Sequence, residues 1–389
     1  MKQRKRFSVR TLTAAEAVAT LPAMREFDGC TDPIDMYILS AGFEERVLAI
    51  PDSLLRAGSL VRGPILLGRY RTNPEDNAQR EAELKPRIDA FAAGDYVPFD
   101  ADSPESTSSV IKTALADKTG ELHIAFDISG ASSTLILSVI AALLRSGRKM
   151  RLSIFYATAA KYHEPSDALR QEPPIMWGDS DFSEIGVSEV EVNELYPGSH
   201  HDHLPTFVIA LPSTAPARMK RCLGHLGVEP LSGTEDRVHW ILPKTDIQEH
   251  KWRQNAVRQA VLDVVCGESH NALRASDGAD AFMEPSLESI EYIDVGNYRE
   301  CARLLIEKID EKAGHNISIV HLGTKVQGVG VALAMAAREE VALVSARPQA
   351  FAASTYSDGV GSMFALTIDD PITMVQHLSA IGTLKIEAE

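Results

Sequence analysis

The stretch HIAFDISGASSTLILSVIAALLRSG (residues 123–147) passes from an apolar run through a Gly/Ser/Thr turn into a second apolar run, and ISIVHLGTKVQGVGVALAMAAREE (317–340) does the same. Each reads as a buried strand, a turn and a helix. The repetition extends along the chain. DMYILSAGFEERVLAIPDSLLRAG (35–58) matches TFVIALPSTAPARMKRCLGHLG (206–227). The strand and long charged helix of 63–93 match those of 237–265, and DYVPFDA with ESTSSVIKTALAD (95–117) matches SIEYIDVGNYRECARLLIEKID (289–310). RLSIFYA (151–157) and VALVSARP (341–348) close the two series as fifth strands.

Continuous apolar strands alternating with helices require a parallel sheet covered on both faces, because parallel neighbours are joined by right-handed crossovers. The fold class expected is therefore α/β, with two Rossmann-like lobes, mainly parallel sheets and an internal duplication. Residues 1–33 read as a tail or leading helix, 34–200 as the first lobe and 201–389 as the second. The join is placed in the Pro-, Gly- and His-rich NELYPGSHHDHLP (193–205).

Composition narrows the function. With a formal net charge of −15, the chain lacks the surplus of Lys and Arg that non-specific duplex binding needs. The longest apolar stretch, around Leu135 to Leu144, is too short for a bilayer, and the basic MKQRKRF start is not followed by an apolar run of signal-peptide length. A cytoplasmic protein without membrane partners is expected. Cys30, Cys222, Cys266 and Cys301 are widely spaced and read as isolated reduced thiols.

In open α/β sheets ligands bind beyond the carboxyl ends of the strands, where helix N-termini offer free N–H groups. The fourth-strand turns are the richest. Ser129, Gly130, Ser132, Ser133 and Thr134 in one lobe, and Gly323, Thr324 and Lys325 in the other, combine backbone access, hydroxyls and one cation, which suits a phosphate. Arg69, Arg71 and Lys244 follow the second strands and add positive charge, as do Lys161 and Arg347 after the fifth strands. Neither turn carries a Walker or three-glycine fingerprint, and GVGVA after Lys325 lies too far into its helix to serve. Glu44, Glu45 and Arg46 in GFEER read as charges complementing a helix start. His200, His201, Asp202 and His203 have the composition of a metal tract without a regular frame. No catalytic residue, metal or cofactor is assigned.

Through DISGASST and HLGTK the chain resembles the CRISPR-associated Rossmann fold (CARF) proteins and their fused, two-lobed SAVED relatives. The resemblance implies that the two turns meet across a pseudo-symmetric interface and bind a cyclic oligonucleotide second messenger. It also implies a separate effector or defence-complex partner in a bacterial antiviral system. Ser132 and Ser133 stand where those families often carry Lys or Arg, so Lys325 alone would supply fixed positive charge. Three readings compete with a binding and regulatory protein. One is an enzyme that cleaves a cyclic oligonucleotide. The second is a phosphoribosyltransferase-like enzyme, since FDISGASSTL keeps Asp127, Gly130, Ser133 and Thr134 of that family's loop but has Ile128 for its second acid. The third is a protein-binding scaffold.

Overall fold

The computed structural model describes residues 7–163, 184–228, 237–276, 290–382 and 384–388. The chain begins with β1 (Phe7–Thr11), α1 (Ala14–Ala19) and β2 (Arg25–Glu26). The first lobe follows as β3 (Met36–Ala41), α2 (Ala49–Arg56), β4 (Ile65–Arg69), α3 (Pro74–Asp89), β5 (Tyr96–Asp100), α4 (Pro104–Leu115), β6 (Leu122–Asp127), α5 (Ser133–Arg145) and β7 (Met150–Ala157). A connecting segment holds β8 (Lys161–Tyr162), β9 (Glu184–Ile185) and β10 (Glu189–Pro197). The second lobe contains β11 (Thr206–Leu211), α6 (Pro216–His225), β12 (Val238–Lys244), α7 (Lys251–Ser276), β13 (Ile290–Asp294), α8 (Tyr298–Glu311), β14 (Asn316–His321), α9 (Lys325–Ala337) and β15 (Ala342–Arg347). The chain continues through β16 (Ala350–Phe351), β17 (Ser357–Asp358), β18 (Met363–Ile368), α10 (Pro371–Ser379) and β19 (Leu384–Ala388), with β19 antiparallel to β1.

The two lobes share one strand order. In the first sheet it is β2-β18-β7-β6-β3-β4-β5 and in the second β10-β15-β14-β11-β12-β13. The five core strands of each are parallel and run fifth, fourth, first, second, third. Strands β3, β6 and β14 are buried at every position, as expected where helices cover both faces of a sheet. Helices α2 and α3 cover the outer face of the first sheet and α6 and α7 that of the second. Between the sheets, α5 packs on α9, with α4 beside α5 and α8 beside α9, in one continuous apolar core. There Leu135, Ile136, Val329 and Leu333 are excluded from water, each contributing about 1.5–3 kcal/mol. The GVGVA glycines serve this layer: a Cβ on Gly330 would stand 2.5 Å from the Tyr298 carbonyl oxygen on α8, and one on Gly328 would stand 3.1 Å from His321 Nε2.

The lobes are not contiguous in sequence. Strand β10, which follows the first lobe, pairs antiparallel with β15 of the second; β18, which follows the second, pairs antiparallel with β7 of the first. The short strands repeat the exchange, β8 with β17 and β9 with β16. Two arms therefore cross reciprocally about a pseudo-two-fold axis. The join at 193–205 therefore begins inside a strand of the second sheet. Asn193 to Pro197 belong to edge strand β10, whose register shifts between Val192 and Pro197; Asn193 is buried there and Val192 exposed. Within residues 7–33 stands a leading helix, α1, between β1 and β2. Thr13 and Glu16 form a capping box for α1, which packs on α8, and β2 adds to the first sheet. Among the described residues no helix is long and apolar enough to cross a membrane.

Candidate functional site

In each lobe the strand order reverses between the first and fourth strands, and the turns leaving those strands diverge to opposite faces. Such a switch point is where open α/β sheets hold ligands. In the first lobe the two turns touch, and a Cβ on Gly42 would stand 3.2 Å from the Gly130 carbonyl oxygen. Helices α5 and α9 pack across the pseudo-axis and start at one place. Lys325, the first residue of α9, donates from Nζ to the carbonyl oxygen of Ala131, just before α5, at 2.6 Å. The amino ends of both strand-four helices thus share one spot.

The predicted residues divide by role. Ser132 and Thr324 are the N-caps of α5 and α9, accepting from Leu135 N and Gln327 N. Thr324 belongs to a capping box whose Gln327 side chain occupies the space a Cβ on Gly323 would need. Ser133 and Thr134 open the first turn of α5 and are partly exposed. Gly130 is required by packing, since a Cβ there would stand 2.7 Å from Val47 Cγ1 and 2.9 Å from the Ser40 carbonyl oxygen. Ser129 is buried, and its hydroxyl accepts from Ala157 N, so it braces the strand ends from within. Arg69 is held by Glu81 in a two-pronged ion pair, and Lys244 is exposed at the end of β12. Neither bonds to the strand-four turns among the described residues. Arg71 is neutralised by Asp100, and Arg347 by Glu191, with a further bond to the Asp102 carbonyl. His200 and Asp202 lie 3.7 Å apart on the exposed join; among the described residues no group of three or more His, Cys, Asp or Glu side chains could hold a metal ion.

The electrostatics centre on Lys325. Burial pulls its ammonium down to about 8, with Glu44 and Asp127 opposing the shift and Arg46 adding to it. Glu44 and Arg46 form a buried ion pair. Arg46 also fans out to the hydroxyls of Tyr156 and Tyr162 and to the Ala157 carbonyl. Arg218 repeats this in the second lobe, donating twice to the Ala346 carbonyl. Asp127 ends β6 and accepts from Tyr37 Oη at 3.3 Å and from Ser129 N at 2.8 Å. Burial raises its pKa to about 6, against the stabilising bonds from Ser129 and Tyr37. His321 ends β14 in the equivalent place. It is buried, makes no hydrogen bond among the described residues, and is held neutral by burial and by Arg218, its pKa lowered to about 3. The two halves match in backbone and differ in chemistry.

One contributing residue escaped the sequence reading. Tyr70 lies between Arg69 and Arg71; its hydroxyl donates to the Gly130 carbonyl at 3.2 Å and accepts from Ser132 N at 2.7 Å. It fixes the strand-four turn and lines a groove of about 720 Å³ with Ala41, Arg69, Asn77, Glu81 and Lys85. An aromatic residue among charged ones just after a strand was its only local signal. Glu45 accepts from Gly359 N and so holds the second arm on the first lobe.

No family model matches the chain, and no curated protein matches it. Among solved structures it is similar to the cytoplasmic domain of a prokaryotic cation chloride cotransporter, with 8% identity over 81% of this chain and 96% of that one and a TM-score of 0.24. It is also similar to a short-chain type dehydrogenase/reductase from Mycobacterium ulcerans, with 13% identity over 68% and 90% and a TM-score of 0.22. Likenesses this distant carry no argument about function.

Proposed function

We propose that the chain is a two-lobed receptor for a nucleotide-type anion, a cyclic oligonucleotide second messenger, bound where α5 and α9 begin. It would pass the signal to a separate effector protein of a bacterial antiviral system, as the resemblance of DISGASST and HLGTK implies. The observation that carries the reading is the bond from Lys325 to Ala131, because it gathers two helix N-termini and one cation at a single point on the pseudo-axis. A phosphate oxygen is a stronger acceptor for that ammonium than a neutral carbonyl, and the two positive dipole ends favour the same charge. The phosphoribosyltransferase-like alternative is disfavoured, since Asp127 spends its carboxylate on Tyr37 and Ser129 inside the lobe.

Calorimetric titration with cyclic di-, tri- and tetranucleotides tests the reading. A charge-assisted bond of this kind contributes about 1.5–3 kcal/mol, so Lys325→Ala should weaken binding by about ten- to a hundredfold while the protein remains folded. Ser132→Ala, which removes a neutral cap, should weaken it less. Equal affinity in the wild type and Lys325→Ala would remove the site, and no binding by the wild type would favour the enzyme or scaffold readings.

A further inference from the structure

The crossing arms carry rings that belong to none of the three apolar cores. Phe351 of the second arm stands 5.5 Å, centroid to centroid, from Phe43 in the first lobe's strand-one turn and 5.7 Å from Tyr356. Tyr356 lies 5.5 Å from Phe43 and 6.4 Å from Tyr162 of the first arm, and Tyr162 lies 5.6 Å from His250, just before α7. One continuous row of rings thus crosses from lobe to lobe beside the strand ends. All of them are partly exposed. Their placement is fixed from outside the row. The Asn73 side chain bonds the amide and carbonyl of Phe351 at 2.9 and 2.8 Å, and Arg46, the partner of Glu44, donates to Tyr162 Oη at 3.1 Å. The Arg253 guanidinium lies 4.0 Å from the Tyr162 ring centroid, so a flat, delocalised group already rests on one face.

Aromatic side chains make up only 6% of the chain, so a row of them outside the cores, with Phe351 pinned by Asn73 of the first lobe and Tyr162 overlaid by Arg253 of the second, invites a reason beyond burial. A nucleobase supplies one, because every base has a π-face that stacks on such rings whatever its hydrogen-bonding edge. We infer that Phe43, Tyr162, Phe351 and Tyr356 form a base-stacking platform for the nucleotide-type anion. The inference rests on the reading of the Lys325 site as its phosphate anchor. The platform reads the bases while Lys325 reads the charge, and because both lobes supply rings, ligand binding draws the two arms together.

The test compares cyclic triadenylate with tripolyphosphate, which has the charge and no base, on the full-length protein. Phe351→Leu keeps apolar bulk and removes the π-face; it should weaken cyclic triadenylate about ten- to a hundredfold and leave tripolyphosphate unchanged. Lys325→Ala should weaken both probes. Tyr356→Trp keeps a stacking face, should retain affinity, and should show fluorescence quenching on addition of cyclic triadenylate. If Phe351→Leu and Tyr356→Leu, with melting curves like the wild type's, bind cyclic triadenylate normally while Lys325→Ala does not, the platform is refuted and the anion site stands. Wild-type affinity for tripolyphosphate equal to that for cyclic triadenylate would also refute the platform alone. Binding of neither probe would refute both.

Discussion

Asp127 is a carboxyl enclosed at the end of a central strand, and the enclosure has a measurable sign. Its pKa is about 6 in the folded protein against the ordinary 3.8, so the native state favours the protonated form. The stabilisation that this gives is fully present below the ordinary value and is lost as pH rises through about 6. Asp127→Asn keeps an acceptor for Ser129 N and presents an N–H to the Tyr37 hydroxyl, without the buried charge. It should therefore be more stable than the wild type at pH 7.5, by about 1–3 kcal/mol, and the advantage should vanish near pH 4; thermal melts at both values decide. Lys325 shifts the opposite way. With an ammonium pKa near 8, it is charged below that pH and neutral above it, so anion affinity should fall by up to about tenfold per unit above pH 8. Lys325→Arg, charged throughout, should bind with a flat profile over the same range. The position of Lys325 at a helix start beside a glycine turn was legible in the sequence because that is a local pattern. The buried roles of Ser129 and Asp127 were not, since they depend on Ala157, Tyr37 and the fifth strand lying alongside.

At the scale of elements, the strand-helix units were read correctly because central parallel strands are unbroken apolar runs, and the strand-four helices α5 and α9 carry Ser132 and Thr324 as caps. The edge strands were missed for the converse reason. MFALTI (363–368) and EVEVNELY (189–196) lie at or near sheet edges, where one face is partly solvated and the pattern is weak. The most exacting element contact is that of α9 on α8. Since a Cβ on Gly330 would lie 2.5 Å from backbone, Gly330→Ala must push two helices apart and should destabilise the protein by about 1–3 kcal/mol, despite alanine's better helix propensity. Gly224→Ala in α6, where nothing lies within 4 Å of the added carbon, is the control and should be neutral or stabilising. Urea midpoints of the two variants give the comparison, and equal midpoints would contradict the packing described.

For the molecule as a whole, the duplication was visible in sequence, whereas the exchange of arms was not, because nothing local says which sheet an edge strand will join. Deletion of residues 348–389 leaves every parallel strand in place and removes β18 from β7 of the first lobe. The truncated chain should lose cooperative unfolding in that lobe, bind a dye for exposed apolar surface and self-associate. The separate 348–389 peptide, added during refolding, should restore a single transition. A truncated chain that melts like the parent would show that β18 is dispensable. The exchange also has a consequence in time. As the protein is made, β7 leaves the ribosome with an open edge, and the strand that covers it is synthesised roughly two hundred residues later, a wait on the order of 10–40 s at common elongation rates. For that interval the first lobe exposes a template for pairing with neighbouring nascent chains on the same messenger, so its yield in a cell should depend on chaperone capacity and translation speed more than its final stability suggests.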